Sequence, residues 1–207
     1  LPKSQPISAA KREAHADGGN GTWRFDVPVL KWRKRQKGDE KMELKTQVHN
    51  IPPLYDEKSR VLILGSFPSV KSREAAFFYA HPQNRFWPTL ATLFGEETPK
   101  TVKEKKAMVL RRGVAMWDTI GSCEIVGSSD ASITNVVPND LSVILDAADI
   151  QAIFCNGGTA LRLYQKYQQH STGTDAIGLP STSPANAAWT LNRLVSVWNV
   201  IRTELEK

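Results

Sequence analysis

The sequence predicts an α/β fold, a three-layer α/β/α domain around a central four-stranded, mainly parallel sheet. Two observations lead there. Short apolar runs alternate with helical patterns from Pro52 onward. The residues best suited to chemistry follow the ends of those runs, where ligands of parallel α/β sheets bind. Residues 1–50 show neither feature. They hold 11 Lys and Arg against 6 Asp and Glu, while residues 51–207 hold 16 against 15. The basic character therefore belongs to an N-terminal arm, expected to be extended or disordered, and the domain of residues 51–207 is nearly neutral.

In the arm, Gly18, Gly19, Gly21 and scattered prolines break any period. Trp23, Phe25 and Trp32 are unusual for a solvated tail. The run Lys31-Trp-Arg-Lys-Arg-Gln-Lys37 suits a nucleic-acid contact or a targeting signal, and a plain flexible tail is the competing reading.

In the domain, Val61–Leu64 before Gly65 reads as a buried strand. Phe86, Trp87, Leu90, Leu93 and Phe94 recur at helical spacing over 85–94, and 102–112 reads as a charged amphipathic helix. A second strand is expected over 113–117. A short helix over 141–148 follows, capped by Asn139 or Asp140. A third strand covers 150–155, and Gly157-Gly158 opens a helix to about residue 168. A fourth strand covers 176–179. A final helix is expected from Ala185 to about Leu205, with Trp189, Leu194, Val197, Trp198 and Ile201 on its apolar face.

Composition narrows the function classes. Hydrophobic residues make up 41% of the 207, enough for a core, and no apolar run is long enough for a membrane-spanning helix. Two cysteines exclude a four-cysteine metal site, and Cys123 and Cys155 read as small core residues. His15, His49, His81 and His170 are scattered, so neither a metal nor a cofactor is expected. The default compartment is intracellular and reducing: the nucleus in a eukaryote, the cytoplasm or nucleoid in a prokaryote.

The turns carry the candidates. Gly65-Ser66-Phe67-Pro68-Ser69 is a tight turn whose free N–H groups can face an anion or a ring atom, but it lacks the spacing of a phosphate-binding loop. In Tyr79-Ala-His-Pro-Gln-Asn-Arg-Phe-Trp87, Asn84 can cap a helix or hold a water, and Tyr79 can stack on a planar ligand or sit half-buried in the core. Asp118 and Asn156 end strands, each as a helix cap or a ligand contact. Ser181, Thr182, Ser183 and Asn186 lie in a hydroxyl-rich turn suited either to phosphate or to starting a helix.

Together these segments resemble the uracil-DNA glycosylase superfamily over about residues 57–205. The turn 65–69 stands at the family's first motif, His81-Pro-Gln-Asn-Arg-Phe-Trp87 matches a stretch of the mismatch-specific and thymine branches, and 179–186 stands at the second motif. The combination is most similar to the hypoxanthine-DNA (deoxyinosine) glycosylase branch. Phe67 replaces the water-orienting asparagine of the mismatch and thymine branches, and Leu179 stands where the most active uracil enzymes carry histidine.

The resemblance implies an enzyme acting on double-stranded DNA that contains a deaminated base; no lysine stands at these strand ends to form a Schiff base, so a monofunctional enzyme is expected, and a monomer. The resemblance also implies Asn84 as the catalytic residue, with Ser66, Phe67, Tyr79, Asp118 and Asn156 around the base. Ser69, Ser181, Thr182, Ser183 and Asn186 would meet the DNA. The alternatives are a preference for uracil or a mismatch, an inactive DNA-binding module, and a hydrolase of free nucleosides.

Overall fold

The computed structural model describes residues 45–207. The aromatic and basic candidates of the arm, Trp23, Phe25 and Trp32 and the run 31–37, lie outside the described residues.

Four strands form the expected parallel sheet: β2 (Val61–Gly65), β3 (Val114–Asp118), β6 (Ala152–Asn156) and β7 (Ala176–Leu179), in the order β3-β2-β6-β7. Alternation along the strands splits the core in two. Val61, Ile63, Val114, Met116, Ala152 and Phe154 point to one face. There they meet α2 (Phe86–Phe94), α3 (Val102–Arg111) and α7 (Leu191–Leu205), with Phe86 edge-on to the fully buried Trp198 at 5.7 Å. Leu62, Leu64, Ala115, Ile153 and Cys155 point to the other face. They pack against α4 (Ser142–Leu145) and α5 (Gly158–Tyr167). Both faces are covered, which is why these strands read as continuous apolar runs.

A second sheet was not expected. It is antiparallel, in the order β1-β4-β5, from β1 (Lys45–Val48), β4 (Ile120–Ile125) and β5 (Thr134–Pro138). Its inner residues Ile120, Cys123 and Ile125 close over Phe67 and Leu163 in a third cluster. β1 falls within the segment read as arm, so residues 45–50 belong to the domain. Its pattern is almost wholly exposed, because an edge strand with one neighbour is held by backbone bonds rather than by an apolar face. β4 was missed for a related reason: Gly121 and Ser122 dilute its pattern, and its pairing with β5 is twice shifted in register.

Two helix starts differ from expectation. α7 begins at Leu191, not Ala185: the Thr190 hydroxyl accepts from the Arg193 N–H, while Ser183 and Asn186 carbonyls close turns through 189. Trp189 therefore lies before the helix. Before α4, the Asp140 carboxylate accepts from the Ser142 N–H, and Asn139 instead donates to the carbonyls of Asp118 and Ile120. The remaining helices, α1 (Val70–Glu74) and α6 (Gln169–Thr172), are one-turn pieces.

Burial pushes the Cys155 thiol up to about 12 and raises that of Cys123 as well. At pH 8 a thiol near 12 is ionised to only about one part in 10⁴. We expect both thiols of 45–207 to react with a disulfide reagent only after denaturation, with a large difference in rate. Rapid native labelling at Cys155 would contradict its placement.

Candidate functional site

The register of the parallel sheet assembles the site. Gly65 pairs with Asp118 and Asn156 with Leu179, so the turns that follow all leave from one end of the sheet. A cavity of about 830 Å³ opens there. All of the residues expected from the sequence line it: Asn84; Ser66, Phe67, Tyr79, Asp118 and Asn156; and Ser69, Ser181, Thr182, Ser183 and Asn186.

Asp118 is the buried carboxylate of this cavity, 4% exposed. A Cβ on Gly65 would stand 2.1 Å from Asp118 Oδ1, so the strand tolerates no side chain there. The other oxygen, Oδ2, is 2.8 Å from His49 Nε2. Sequence reasoning missed His49: it lies just beyond β1, 69 residues before its partner, with nothing in its neighbourhood to mark it.

Tyr79 sits in the left-handed region at φ 50°, a strained backbone for an aromatic residue. Its ring is stacked on Phe86 at 3.8 Å. Its hydroxyl is buried and has no hydrogen-bond partner among the described residues. Burial, followed by the charge of Asp118, raises this phenol above its ordinary range; Asn156 lies close enough to soften the effect. An unpaired buried hydroxyl is costly, and a ligand acceptor would relieve it.

Asn84 makes one local bond and keeps its amide donor unused. Its Oδ1 accepts from the Phe86 N–H at 3.0 Å at the start of α2, and its Nδ2 has no protein acceptor among the described residues. Arg85, not Asn84, occupies the cap position itself. Phe67 turns its side chain away from polar work: the ring is buried in the third cluster, under the Arg73 guanidinium at 5.6 Å. The Ser66 and Phe67 N–H groups donate to no other group among the described residues, leaving them free for a ligand.

Ser66 also holds a carboxylate that sequence reasoning missed. Its hydroxyl lies 3.1 Å from both oxygens of Asp130, which lines the cavity. Desolvation by the surrounding cleft raises it above the usual carboxylate range; the Ser66 hydrogen bond opposes this, and the Asp118 charge adds to it. Asp130 sits in the Gly127-Ser-Ser-Asp-Ala-Ser132 stretch, which reads as an ordinary loop.

The loop 180–190 forms the opposite wall, and here one expectation is corrected. Thr182 is completely buried, so it cannot touch DNA. It exchanges two 3.0 Å bonds with Asn156: Asn156 Nδ2 donates to its hydroxyl, and its N–H donates to Asn156 Oδ1. Asn156 is thereby spent as a fastener of this loop, which leaves its polar atoms little to offer a base. Ser181 and Ser183 hydroxyls accept from the N–H groups of Ser183 and Ala185, and each keeps its own proton for an outside acceptor. Asn186 donates to the Ser181 carbonyl. The Ser69 hydroxyl caps α1.

Arg85 is the second fastener, again missed from sequence. Its side chain donates to the carbonyls of Thr182 at 3.3 Å and Asn186 at 3.1 Å, and also to those of Ser183 and Trp189. The planar guanidinium binds four carbonyls of the loop at once, adding to the turn bonds that the Ser183 and Asn186 carbonyls already accept. Among the described residues no three His, Cys, Asp or Glu side chains gather as around a metal ion, and no helix is long and apolar enough to cross a membrane.

Comparison with known proteins places the chain in a family. Residues 52–202 match the model of the uracil DNA glycosylase superfamily. A hypoxanthine DNA glycosylase of Methanosarcina acetivorans is 30% identical over 152 residues, covering 73% of this chain and 95% of that one. A protein of the same name from Methanosarcina barkeri is 31% identical over 109 residues, covering 52% and 69%. A solution NMR structure of a Methanosarcina acetivorans protein assigned to the uracil DNA glycosylases superposes with a TM-score of 0.67 at 28% identity, covering 79% of this chain and all of that one.

Replacing Arg85 by Ala removes its four side-chain bonds to the loop and leaves the Trp189 carbonyl without a donor among the described residues. The expected loss is about 2 kcal/mol in urea denaturation, with faster proteolysis confined to residues 181–189. Unchanged stability and unchanged cleavage would show that the loop holds without it.

Proposed function

The chain belongs to the uracil DNA glycosylase superfamily, and from that premise we propose that it is a monofunctional DNA glycosylase that hydrolyses the N-glycosidic bond of flipped-out hypoxanthine and leaves an abasic site. The observation that carries this reading is the Asp118 carboxylate buried beside Gly65 in the cavity. An ionised carboxylate only accepts hydrogen bonds. Hypoxanthine, the deamination product of adenine, presents an N1–H there; adenine presents a bare acceptor and is repelled. The names of the Methanosarcina relatives support the same substrate.

The chemistry follows from charge. A base stacked in a duplex must first be everted, at a cost of a few kcal/mol that a mispair reduces. Cleavage then leaves negative charge on the base and positive charge on the sugar. The Ser66 and Phe67 N–H groups and the unspent Asn84 Nδ2 are the donors available to the base or the attacking water. Tyr79, backed by Phe86, is the ring on which the base rests. Negative Asp130 at the cleft favours the sugar cation. Ser69, Ser181, Ser183 and Asn186 face the DNA backbone, with Pro184 and Ala185 at the loop as the wedge that fills the gap left by the base.

Uracil also carries an N–H, at N3, that Asp118 can accept, so a preference for uracil is the second reading. A panel of duplexes with hypoxanthine, uracil or xanthine separates the two, and hypoxanthine is expected to be released fastest. Asn84→Ala is expected to slow single-turnover release by about 100-fold or more. A near wild-type rate would remove Asn84 from the chemistry. The product strand should remain intact until treated with alkali.

The described domain is close to neutral, so we propose that the basic arm adds phosphate contacts. Residues 1–40 hold 9 Lys and Arg against 5 Asp and Glu. Removing them, while sparing β1, should reduce the slope of log affinity against log salt by about one or more. An unchanged slope would assign the arm another task.

A further inference from the structure

His49 Nδ1 accepts the Ile51 N–H at 3.2 Å, which leaves the ring proton on Nε2, the atom 2.8 Å from Asp118 Oδ2. The ring is therefore a donor to the carboxylate. Three further contacts hold it. The His49 N–H donates to the Gly121 carbonyl at 2.7 Å, continuing the pairing of β1 with β4. Phe67 and Trp117 pack edge-on against the ring at 6.0 and 6.3 Å. The histidine side chain is only 2% exposed, so no solvent competes for these bonds. With Oδ2 occupied, Oδ1 is the remaining acceptor, and it lies over Gly65, which like Asp118 itself lines the cavity.

We infer that His49 is the positioning residue for base recognition: it clamps Oδ2 of Asp118 so that Oδ1 alone faces the N1–H of the everted purine. The inference rests on the reading of Asp118 given above, and it adds a residue that precedes the segment matching the superfamily, 52–202. It also gives Phe67 a task. The ring that stands at the first-motif position forms one wall of the histidine slot. A carboxylate free to rotate would present either oxygen at variable angles, and a clamped one presents a single fixed acceptor.

The test compares single-turnover release of hypoxanthine and of unsubstituted purine, which has a bare N1, from otherwise identical duplexes. Dividing the two rates within each variant cancels general damage to the fold. His49→Phe keeps a packed ring and loses the donor; the hypoxanthine-to-purine ratio should fall by about tenfold. His49→Gln, which can return an amide N–H toward Oδ2, should recover the ratio to within about threefold of wild type. In Asp118→Asn the ratio should collapse, and adding His49→Phe to it should change the ratio no further.

If His49→Phe slows both bases equally while Asp118→Asn still collapses the ratio, His49 is merely structural and this inference alone fails. A ratio insensitive to Asp118→Asn overturns the base-reading role and this inference with it. An independent readout is the histidine ¹⁵N spectrum of the free protein. It should show the Nε2–H tautomer for His49, and an Nδ1–H tautomer would overturn the clamp whatever the enzyme cleaves.

Discussion

The parallel register of four strands is the constraint on which everything else depends. It places Gly65 beside Asp118 and Asn156 beside Leu179, and so delivers four strand ends distant in sequence to one opening. A slip of one residue in β3 would send the Asp118 side chain to the opposite face of the sheet. That slip is prevented by burial: residues 61–65 are all inaccessible, and their alternate side chains fill two separate cores. The apolar packing that stabilises the fold thus also aims the carboxylate, with no dedicated scaffold for the site.

Electrostatics at the opening run against the expected partner. Two carboxylates, Asp118 and Asp130, line a cleft that would meet a polyanion, and the domain around them carries almost no net positive charge. Desolvation in the cleft already disfavours ionised Asp130. Such an arrangement weakens plain DNA binding. It favours a substrate that presents an N–H to one carboxylate and develops a cation near the other. The loop wall of the opening is made of neutral donors, the hydroxyls of Ser181 and Ser183.

The parallel sheet was legible in the sequence because strands buried on both faces are written as uninterrupted apolar runs. The antiparallel sheet was not: β1 is exposed, and β4 is bulged and carries Gly121 and Ser122. Site residues at strand ends were legible for the same topological reason. Their individual duties were not, because those depend on partners far along the chain. Thr182 looks like a surface hydroxyl until Asn156 is seen 26 residues away, holding it inside. His49 and Arg85 act over 69 and about 100 residues, and no local pattern marks such a bond. The 185–205 helix was drawn too long because Trp189 fits its apolar face; Thr190, a good cap, stops it.

The loop 180–190 is riveted from behind by Asn156 and Arg85, and a Cβ on Gly157, at φ 103°, would come within 3.0 Å of Ser181. Its shape is settled before any duplex arrives. A surface held in this way would not mould itself to a duplex; it would press a finished contour against each successive step. On the proposed function, discovery of damage would begin as a mechanical comparison of how readily neighbouring bases part, with the hydrogen-bonding inspection inside the pocket second.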